Sequence, residues 1–182
     1  SLKRCDYIFP PIILTGFPKN LRSSGSQARL IGGSPHTGFF TLLDDANAWP
    51  LVDGMLIIYT GGYWGQDDKL IILQEKIMRD YHPDNVEELQ RSSGYGALGP
   101  YLMLGDIIAK TVDVTGPEGF NSEALHDTAQ SWYYPMDERP KGYSFSSTKR
   151  YMINDLCVQE LSAEQKTLVR NDPNWYPIMT EP

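Results

Sequence analysis

The sequence predicts an α/β fold in which a parallel sheet is flanked by helices. Three short apolar runs, at residues 6–9, 28–31 and 55–59, have the length and composition of buried strands. Each run is followed by glycine or proline and then by a helical stretch, an order typical of parallel strands joined by right-handed crossovers. The run at 55–59 does not alternate between apolar and polar residues, which predicts a strand that helices cover on both faces.

The helices of the first half are predicted from apolar periodicity and from the residues that begin and end them. They span residues 15–22, residues 38–48 and a third stretch that ends at His82-Pro83. Either Asp67 or Asp68 caps the third helix, because a carboxylate accepts hydrogen bonds from the free amides of a first turn. Its buried stripe is predicted to contain Leu70, Leu73, Ile77 and Tyr81.

The second half is predicted to begin with two helices. The first, over residues 95–112, is apolar around most of its circumference, so it should be largely buried, with Gly105 allowing close approach of another backbone. Asn121 or Ser122 caps the shorter second helix, which extends to Trp132.

The rest of the chain is predicted to contain strands and one more helix. Residues 133–141 have the prolines of a loop, and residues 143–146 are expected to be a strand. Residues 151–161 fit a strand or a helix, and we favour the strand. Ser162 and Gln165 have the spacing of a capping box, which predicts a last short helix before a proline-rich surface tail.

Composition excludes several classes of partner. The 182 residues carry a formal net charge of −7 and no cluster of basic residues, so neither nucleic acid nor an anionic membrane surface is an expected partner. No apolar run approaches the ~18 residues of a membrane span, and residues 1–6 lack the apolar segment of a secretory signal. Cys5 and Cys157 are too distant in sequence for a local redox pair; separate thiols or a disulfide both remain open.

The candidate binding residues lie in the loops that follow the three predicted strands. Ligands of such sheets bind outside the carboxyl ends of the strands, where these loops meet. Pro11 stands in the first loop, and Ser34, His36 and Thr37 stand in the second, where hydroxyls and amides could hold a carboxylate or a carbonyl oxygen. In the third loop, Tyr63 and Trp64 could wall a pocket. For each group, capping or core packing is the alternative interpretation.

No pattern indicates catalysis, a metal or a cofactor. Pro35 and His36 break the Gly-x-Ser-x-Gly turn that a serine hydrolase would need at Ser34. The glycines around Tyr63 lack both a dinucleotide fingerprint and a phosphate-loop lysine, and the three histidines have no spacing typical of metal ligands. We therefore expect a binding protein and not an enzyme.

The order of these elements resembles the carboxy-terminal half of type 1 periplasmic binding proteins, in particular the branched-chain amino-acid group of transporter receptors. Five stretches carry the resemblance, which extends over about residues 5–150: the strands and loops at 5–9 and 28–34, the Asp-Gly turn and strand at 53–57, and the helices at 95–110 and 121–132. In that family two α/β lobes close on a solute. The resemblance implies an incomplete two-lobe fold, with residues 1–92 as one lobe, 93–150 as part of the second, and 151–182 as a terminal strand, helix and tail.

The resemblance also implies a function. The chain would be the extracytoplasmic, periplasmic or extracellular, solute-binding component of an ABC-type transporter, membrane-anchored through a missing amino-terminal part and working with a membrane permease. The alternative is a ligand-sensing regulatory domain of the same fold, and an exposed lobe face predicts a homodimer. The family's ammonium-binding acid is absent from the loop at Ser34, and Tyr95 joins Tyr63 and Trp64 as remaining aromatics. This set favours a less polar or aromatic acid as the small-molecule ligand.

Overall fold

The structure, a computed structural model, describes residues 2–91, 98–136 and 139–178. The strands in chain order are β1 Tyr7–Ile8, β2 Arg29–Gly33, β3 Leu56–Tyr59, β4 Tyr133–Tyr134, β5 Tyr143–Ser144, β6 Asp155–Ser162, β7 Thr167–Val169 and β8 Tyr176–Pro177. The α-helices are α1 Gly16–Ser23, α2 Phe40–Asp45, α3 Trp49–Val52, α4 Lys69–Tyr81, α5 Val86–Gln90, α6 Leu98–Thr115 and α7 Ser122–Ser131. Short 3-10 helices cover Leu2–Arg4, Ser34–Gly38, Pro83–Asn85 and Pro117–Gly119.

The main sheet has the order β1-β2-β3-β6-β7. β1, β2 and β3 are parallel, with Ile8 opposite Leu30 and Gly32 opposite Ile57, as the strand–helix units predicted. β6 is antiparallel to β3, and β7 is antiparallel to β6. The predicted α/β fold class is confirmed. The sheet is mixed and not parallel throughout as predicted, because β6 runs antiparallel to β3 and a tight turn, which connects only antiparallel strands, joins β6 to β7.

The chain divides into two compact units. The first consists of Ser1–Tyr95 with Cys157–Asn174, and the second of Gly96–Leu156 with Trp175–Pro182. β6 therefore begins in the second unit, where Asp155 and Leu156 pair with β8, and continues in the first. Among the described residues, no helix combines the length and the apolarity needed to cross a bilayer.

The core of the first unit lies on one side of its central strands. Ile57 of β3 and Val52 of α3 are inaccessible to solvent, and Phe40 packs edge-on against Trp49 with ring centroids 5.1 Å apart. On the other face of β3, Ile58 is 42% exposed. The expectation that helices cover both faces of this strand is therefore wrong. An unbroken apolar run does not by itself distinguish a fully covered strand from one covered on a single face.

α4 begins where the sequence predicts and buries a different face. The Asp68 carboxylate accepts hydrogen bonds from the amides of Leu70 and Ile71, which confirms it as the cap. The buried side chains of α4 are Ile71 and Gln74, whereas Leu73 is 40% exposed and Tyr81 is 76% exposed. The periodicity was predicted correctly but the phase of the stripe was not, because apolar residues occur on both sides of this helix.

α6 is far less buried than predicted. Its buried residues are Met103, Ile107 and Thr111, which form a single stripe at intervals of four residues. Tyr101 is 72% exposed and Val114 is 81% exposed. No described atom outside the helix backbone lies within 4 Å of a Cβ built on Gly105, so the expected close backbone approach is absent there.

The predicted last helix is also wrong. Ser162 Oγ does accept a hydrogen bond from the Gln165 amide, at 3.2 Å, as in a capping box. However, Ser162 pairs with Thr167 across the β6–β7 turn, and Lys166 adopts a positive φ of 50°. The local hydrogen bond is compatible with a turn or a helix start, and strand pairing decides for the turn.

An ion cluster around Asp44 joins α2, the end of α5 and the β6–β7 turn. The Asp44 carboxylate accepts hydrogen bonds from Trp49 Nε1 at 3.0 Å and from Arg91 Nε at 2.9 Å, and Lys166 Nζ lies 3.5 Å away. Burial pushes the pKa of Asp44 upward, but the hydrogen bonds and positive charges outweigh burial, so the pKa is lowered. The cluster stabilises the edge of the sheet at which the parallel strands begin.

The lowered pKa predicts a pH dependence of stability. A carboxyl whose folded pKa lies below its unfolded value stabilises the fold above the unfolded pKa, and this contribution is lost as pH falls through the folded pKa. Asp44→Asn should therefore reduce the free energy of unfolding near neutral pH, by about 1 kcal/mol or less for a partly exposed pair. It should also flatten the decline of stability below roughly pH 4. Urea titrations across pH measure both effects, and the neighbouring exposed Asp45→Asn is the control; identical pH profiles for the two variants would contradict the assignment.

Candidate functional site

Three loops meet at the edge of the sheet where β1, β2 and β3 end. They comprise residues 9–14, 34–39 and 60–68, which follow the three parallel strands in that order. Parallel pairing places all three at one edge, the position at which α/β sheets bind ligands. We call this surface the loop edge.

The His36 side chain connects the first two loops. It is 1% exposed; its Nδ1 lies 3.1 Å from both the amide nitrogen and the carbonyl oxygen of Gly33, and its Nε2 lies 3.3 Å from the Pro10 carbonyl oxygen. His36 thus holds the backbone next to Pro11 against the turn that carries Ser34.

Gly32 is the residue that lets His36 lie this close to β2. A Cβ at position 32 would stand 2.5 Å from Met55 Cε and 2.8 Å from His36 Nδ1. Both contacts are shorter than van der Waals packing allows, so a larger residue would displace the imidazole. In the sequence alone, this glycine indicates only the end of a strand.

Thr37 connects the second loop to the end of β3. Its Oγ1 donates to the Ser34 carbonyl at 2.8 Å, and its hydroxyl lies beside that of Tyr59. Burial raises the pKa of the Tyr59 hydroxyl, and the neighbouring Thr37 hydroxyl opposes that shift. The second loop therefore contacts both of its neighbours, which sets the spacing of the loop edge.

The first loop presents apolar side chains to solvent. Phe9 is 67% exposed, Ile12 46% and Ile13 53%, and Pro11 between them is also exposed. The Phe9 ring meets His36 edge-on at a centroid distance of 5.3 Å. Only Pro11 of this loop was predicted as a binding residue, although the apolar residues that follow the prolines indicate an exposed apolar rim.

The third loop places its two aromatics differently. Tyr63 is 3% exposed and packs in the core beside Phe40, with ring centroids 5.7 Å apart, and burial raises its pKa strongly. Trp64 is half-buried, and the Arg79 guanidinium lies over its ring at 5.6 Å. The Gly62 amide donates to Asp68 Oδ2 at 3.2 Å, so the carboxylate that caps α4 also holds this loop.

The candidate residues therefore separate by accessibility. Pro11 is exposed and Ser34 is partly exposed, whereas His36 and Thr37 are buried within the same turn as Ser34. Tyr95 lies outside the described residues. The described part of the chain contains no group of three histidine, cysteine or acidic residues placed to hold a metal, and Cys5 and Cys157 are both free thiols.

The charge of the loop edge is low. Residues 9–14 and 34–39 contain no Asp, Glu, Lys or Arg. The third loop contains two acids: Asp67 is exposed, whereas Asp68 is 5% exposed and both of its carboxylate oxygens accept backbone amide hydrogen bonds. The loop edge therefore offers apolar contacts, a serine hydroxyl and backbone groups, with one exposed carboxylate at the end of the third loop.

Solved structures of solute-binding proteins have this fold. A branched-chain amino-acid ABC transporter protein from Thermus thermophilus, solved with bound valine, is 16% identical with a TM-score of 0.67. The matched region covers 96% of this chain and 46% of the transporter protein. The leucine-binding protein LivK from Thermotoga maritima is 10% identical with a TM-score of 0.60, covering 91% and 43%. A fatty acid ABC transporter substrate-binding protein from Thermomonospora curvata is 16% identical with a TM-score of 0.56, covering 84% and 38%.

These likenesses confirm the predicted type 1 periplasmic binding protein fold. The chain spans less than half the length of these structures, which confirms the prediction of an incomplete two-lobe fold. No family model and no curated protein sequence matches the chain.

Replacing the buried histidine tests whether it joins the first two loops. His36→Ala should lower the free energy of unfolding by about 2 kcal/mol or more, because the Pro10 carbonyl and the Gly33 amide lose a buried partner and a cavity remains. Denaturant titration measures the loss. The exposed His82→Ala should change stability by less than about 0.5 kcal/mol. Equal effects in the two variants would contradict the role given to His36.

Proposed function

We propose that this chain is part of an extracytoplasmic solute-binding component of an ABC-type transporter. The observation that carries the proposal is the exposed apolar rim of the loop edge, on a fold otherwise found in solute-binding proteins. An exposed apolar surface at the carboxyl ends of parallel strands is a usual place for a small ligand. The ligand would be a small organic acid or an amino-acid-like molecule, held between two lobes, and the protein would not be an enzyme.

We assign direct contact with the ligand to the accessible candidates. Pro11 and its apolar neighbours would pack on the hydrocarbon part, Ser34 would hydrogen-bond a carboxylate oxygen, and Trp64 would form a side wall. His36, Thr37 and Tyr63 would hold the loops in place, because their side chains are buried beneath them. A contact from Tyr95 stays a prediction.

The charge distribution favours an acid without an α-ammonium group. An ammonium taken out of water needs a carboxylate or several acceptor oxygens. The first two loops contain no acid, and of the two acids in the third loop Asp68 already accepts three amide hydrogen bonds, which leaves only Asp67, next to the start of α4, for an ammonium. We therefore propose a branched or aromatic carboxylic acid over the corresponding amino acid.

The proposal also concerns partners and location. A solute receptor of this type would act outside the cytoplasmic membrane, in the periplasm or anchored at the cell surface, and would deliver its ligand to a permease. Exposed apolar residues of α6 such as Tyr101 and Val114 are consistent with the homodimer that the sequence predicts, which stays a prediction.

Matched ligand pairs test the proposed function. Leucine with 4-methylpentanoate, and valine with 3-methylbutanoate, differ only by the amino group. In a thermal-shift assay, a ligand at ~100 times its dissociation constant adds about 2.7 kcal/mol of stability, which raises Tm by several degrees. We expect the shift from the acid of each pair and a smaller shift from the amino acid.

Variants locate the site in the same assay. Ser34→Ala and Trp64→Ala should each weaken binding about tenfold or more, equivalent to about 1.4 kcal/mol. Ser23→Ala, at the carboxyl end of α1, is the control and should bind as the wild type does. Unchanged affinity in both loop variants would place the site elsewhere, and the absence of a shift from all four compounds would count against the proposed ligand class.

A further inference from the structure

A pair of glutamines braces the third loop from the antiparallel strand. Gln159 of β6 is 1% exposed, and its Nε2 donates to the Gly61 carbonyl at 2.9 Å. Its Oε1 accepts a hydrogen bond from Gln66 Nε2 at 2.8 Å. Both ends of the buried amide are thus bonded to the loop between β3 and α4.

Gln66 passes the constraint on to the aromatic residues. Its Oε1 accepts a hydrogen bond from the Tyr63 amide at 3.0 Å, and its own amide donates to the Tyr63 carbonyl at 3.0 Å. Tyr63 directly precedes Trp64, and on the other side the Gly65 amide donates to Glu75 Oε1 at 2.7 Å. Hydrogen bonds therefore fix the backbone on both sides of Trp64.

The chemistry of this brace requires a side-chain amide. Gln159 must donate to one partner and accept from another at the same depth, which neither a carboxylate nor an apolar side chain can do. Cys157, on the same face of β6, adds a weak hydrogen bond from Sγ to the Gly61 carbonyl at 3.6 Å. Because Gln159 is shielded from water, loss of either bond would leave a buried polar group unpaired.

We infer that Gln159 is a positioning residue that, through Gln66, sets the orientation of Trp64 and thereby the affinity of the loop edge for its ligand. The inference rests on the proposed function for its consequence, while the positioning itself is a property of the ligand-free chain. If Trp64 already has its bound orientation in the free protein, binding does not incur the entropic cost of ordering this side chain.

Fluorine NMR of the full chain labelled with 5-fluorotryptophan tests the positioning without any ligand. The chain has four tryptophans, and Trp64→Phe assigns the resonance of interest. Gln159→Leu should shift or broaden the Trp64 resonance and leave that of Trp49 in place. Gln66→Leu, at a less buried position, should do the same and serves if the first variant folds poorly.

Gln74→Leu on α4 is the matched control, because it removes another buried glutamine of the same unit. It should leave the Trp64 resonance unchanged. An unchanged Trp64 resonance in Gln159→Leu and Gln66→Leu would overturn the inference.

Gln159→Glu separates positioning from a general loss of stability. At pH 8 the introduced carboxylate repels the Gly61 carbonyl, whereas its protonated form can donate to it, and burial raises the pKa of such a group. The Trp64 resonance should therefore return toward its wild-type position as pH falls to about 5. A resonance that does not respond to pH would contradict the hydrogen-bond role.

The effect on affinity is measured in the thermal-shift assay with 4-methylpentanoate and leucine as probes. Gln159→Leu should weaken whichever probe binds by about tenfold, and Gln74→Leu should not. If neither probe binds the wild-type chain, the proposed function fails and the statement about affinity fails with it. The resonance data still decide whether Gln159 positions the loop, so the two failures are distinguishable.

Discussion

The imidazole of His36 holds the loop edge together. It occupies space beside β2 that only a glycine at position 32 leaves open, and it bonds the backbone of two consecutive loops. Thr37, one residue later, extends the connection to Tyr59 at the end of β3. Two neighbouring side chains of a single turn therefore set the distances between all three loops. Without them, parallel pairing would place the loops at one edge and would not fix their mutual spacing.

Around this connection, the residues of the loop edge divide into supporting and presenting groups. The supporting group is buried and consists of His36, Thr37, Tyr63 and Asp68. Their polar atoms bond backbone groups, or their rings pack in the core. Phe9, Pro11, Ile12 and Ile13 are exposed and make the edge apolar. A binding surface on a rigid scaffold has this division, because side chains that contact a ligand keep a fixed geometry only when others hold their backbone.

The sequence was informative where local physics decides the structure. The strand positions, the Asp68 cap and the Asn121 cap followed from apolar runs and from side chains that satisfy free amides. It was misleading where partners distant in sequence decide. The face that α4 buries and the exposure of α6 depend on what packs against them, and the course of β6 depends on its pairing with β3, about a hundred positions earlier. Gln159 could not be recognised as a brace, because its partners Gly61 and Gln66 lie more than ninety positions away.

The Asp44 cluster has a consequence for how this fold can diversify. It joins α2, α5 and the β6–β7 turn at the end of the sheet opposite the loop edge, with Trp49 anchored in the core beside it. The residues that face solvent at positions 9–13 take no part in this cluster. Exchanges among those exposed residues remove little buried surface, so a lineage can alter the shape and polarity of that rim without refolding the unit.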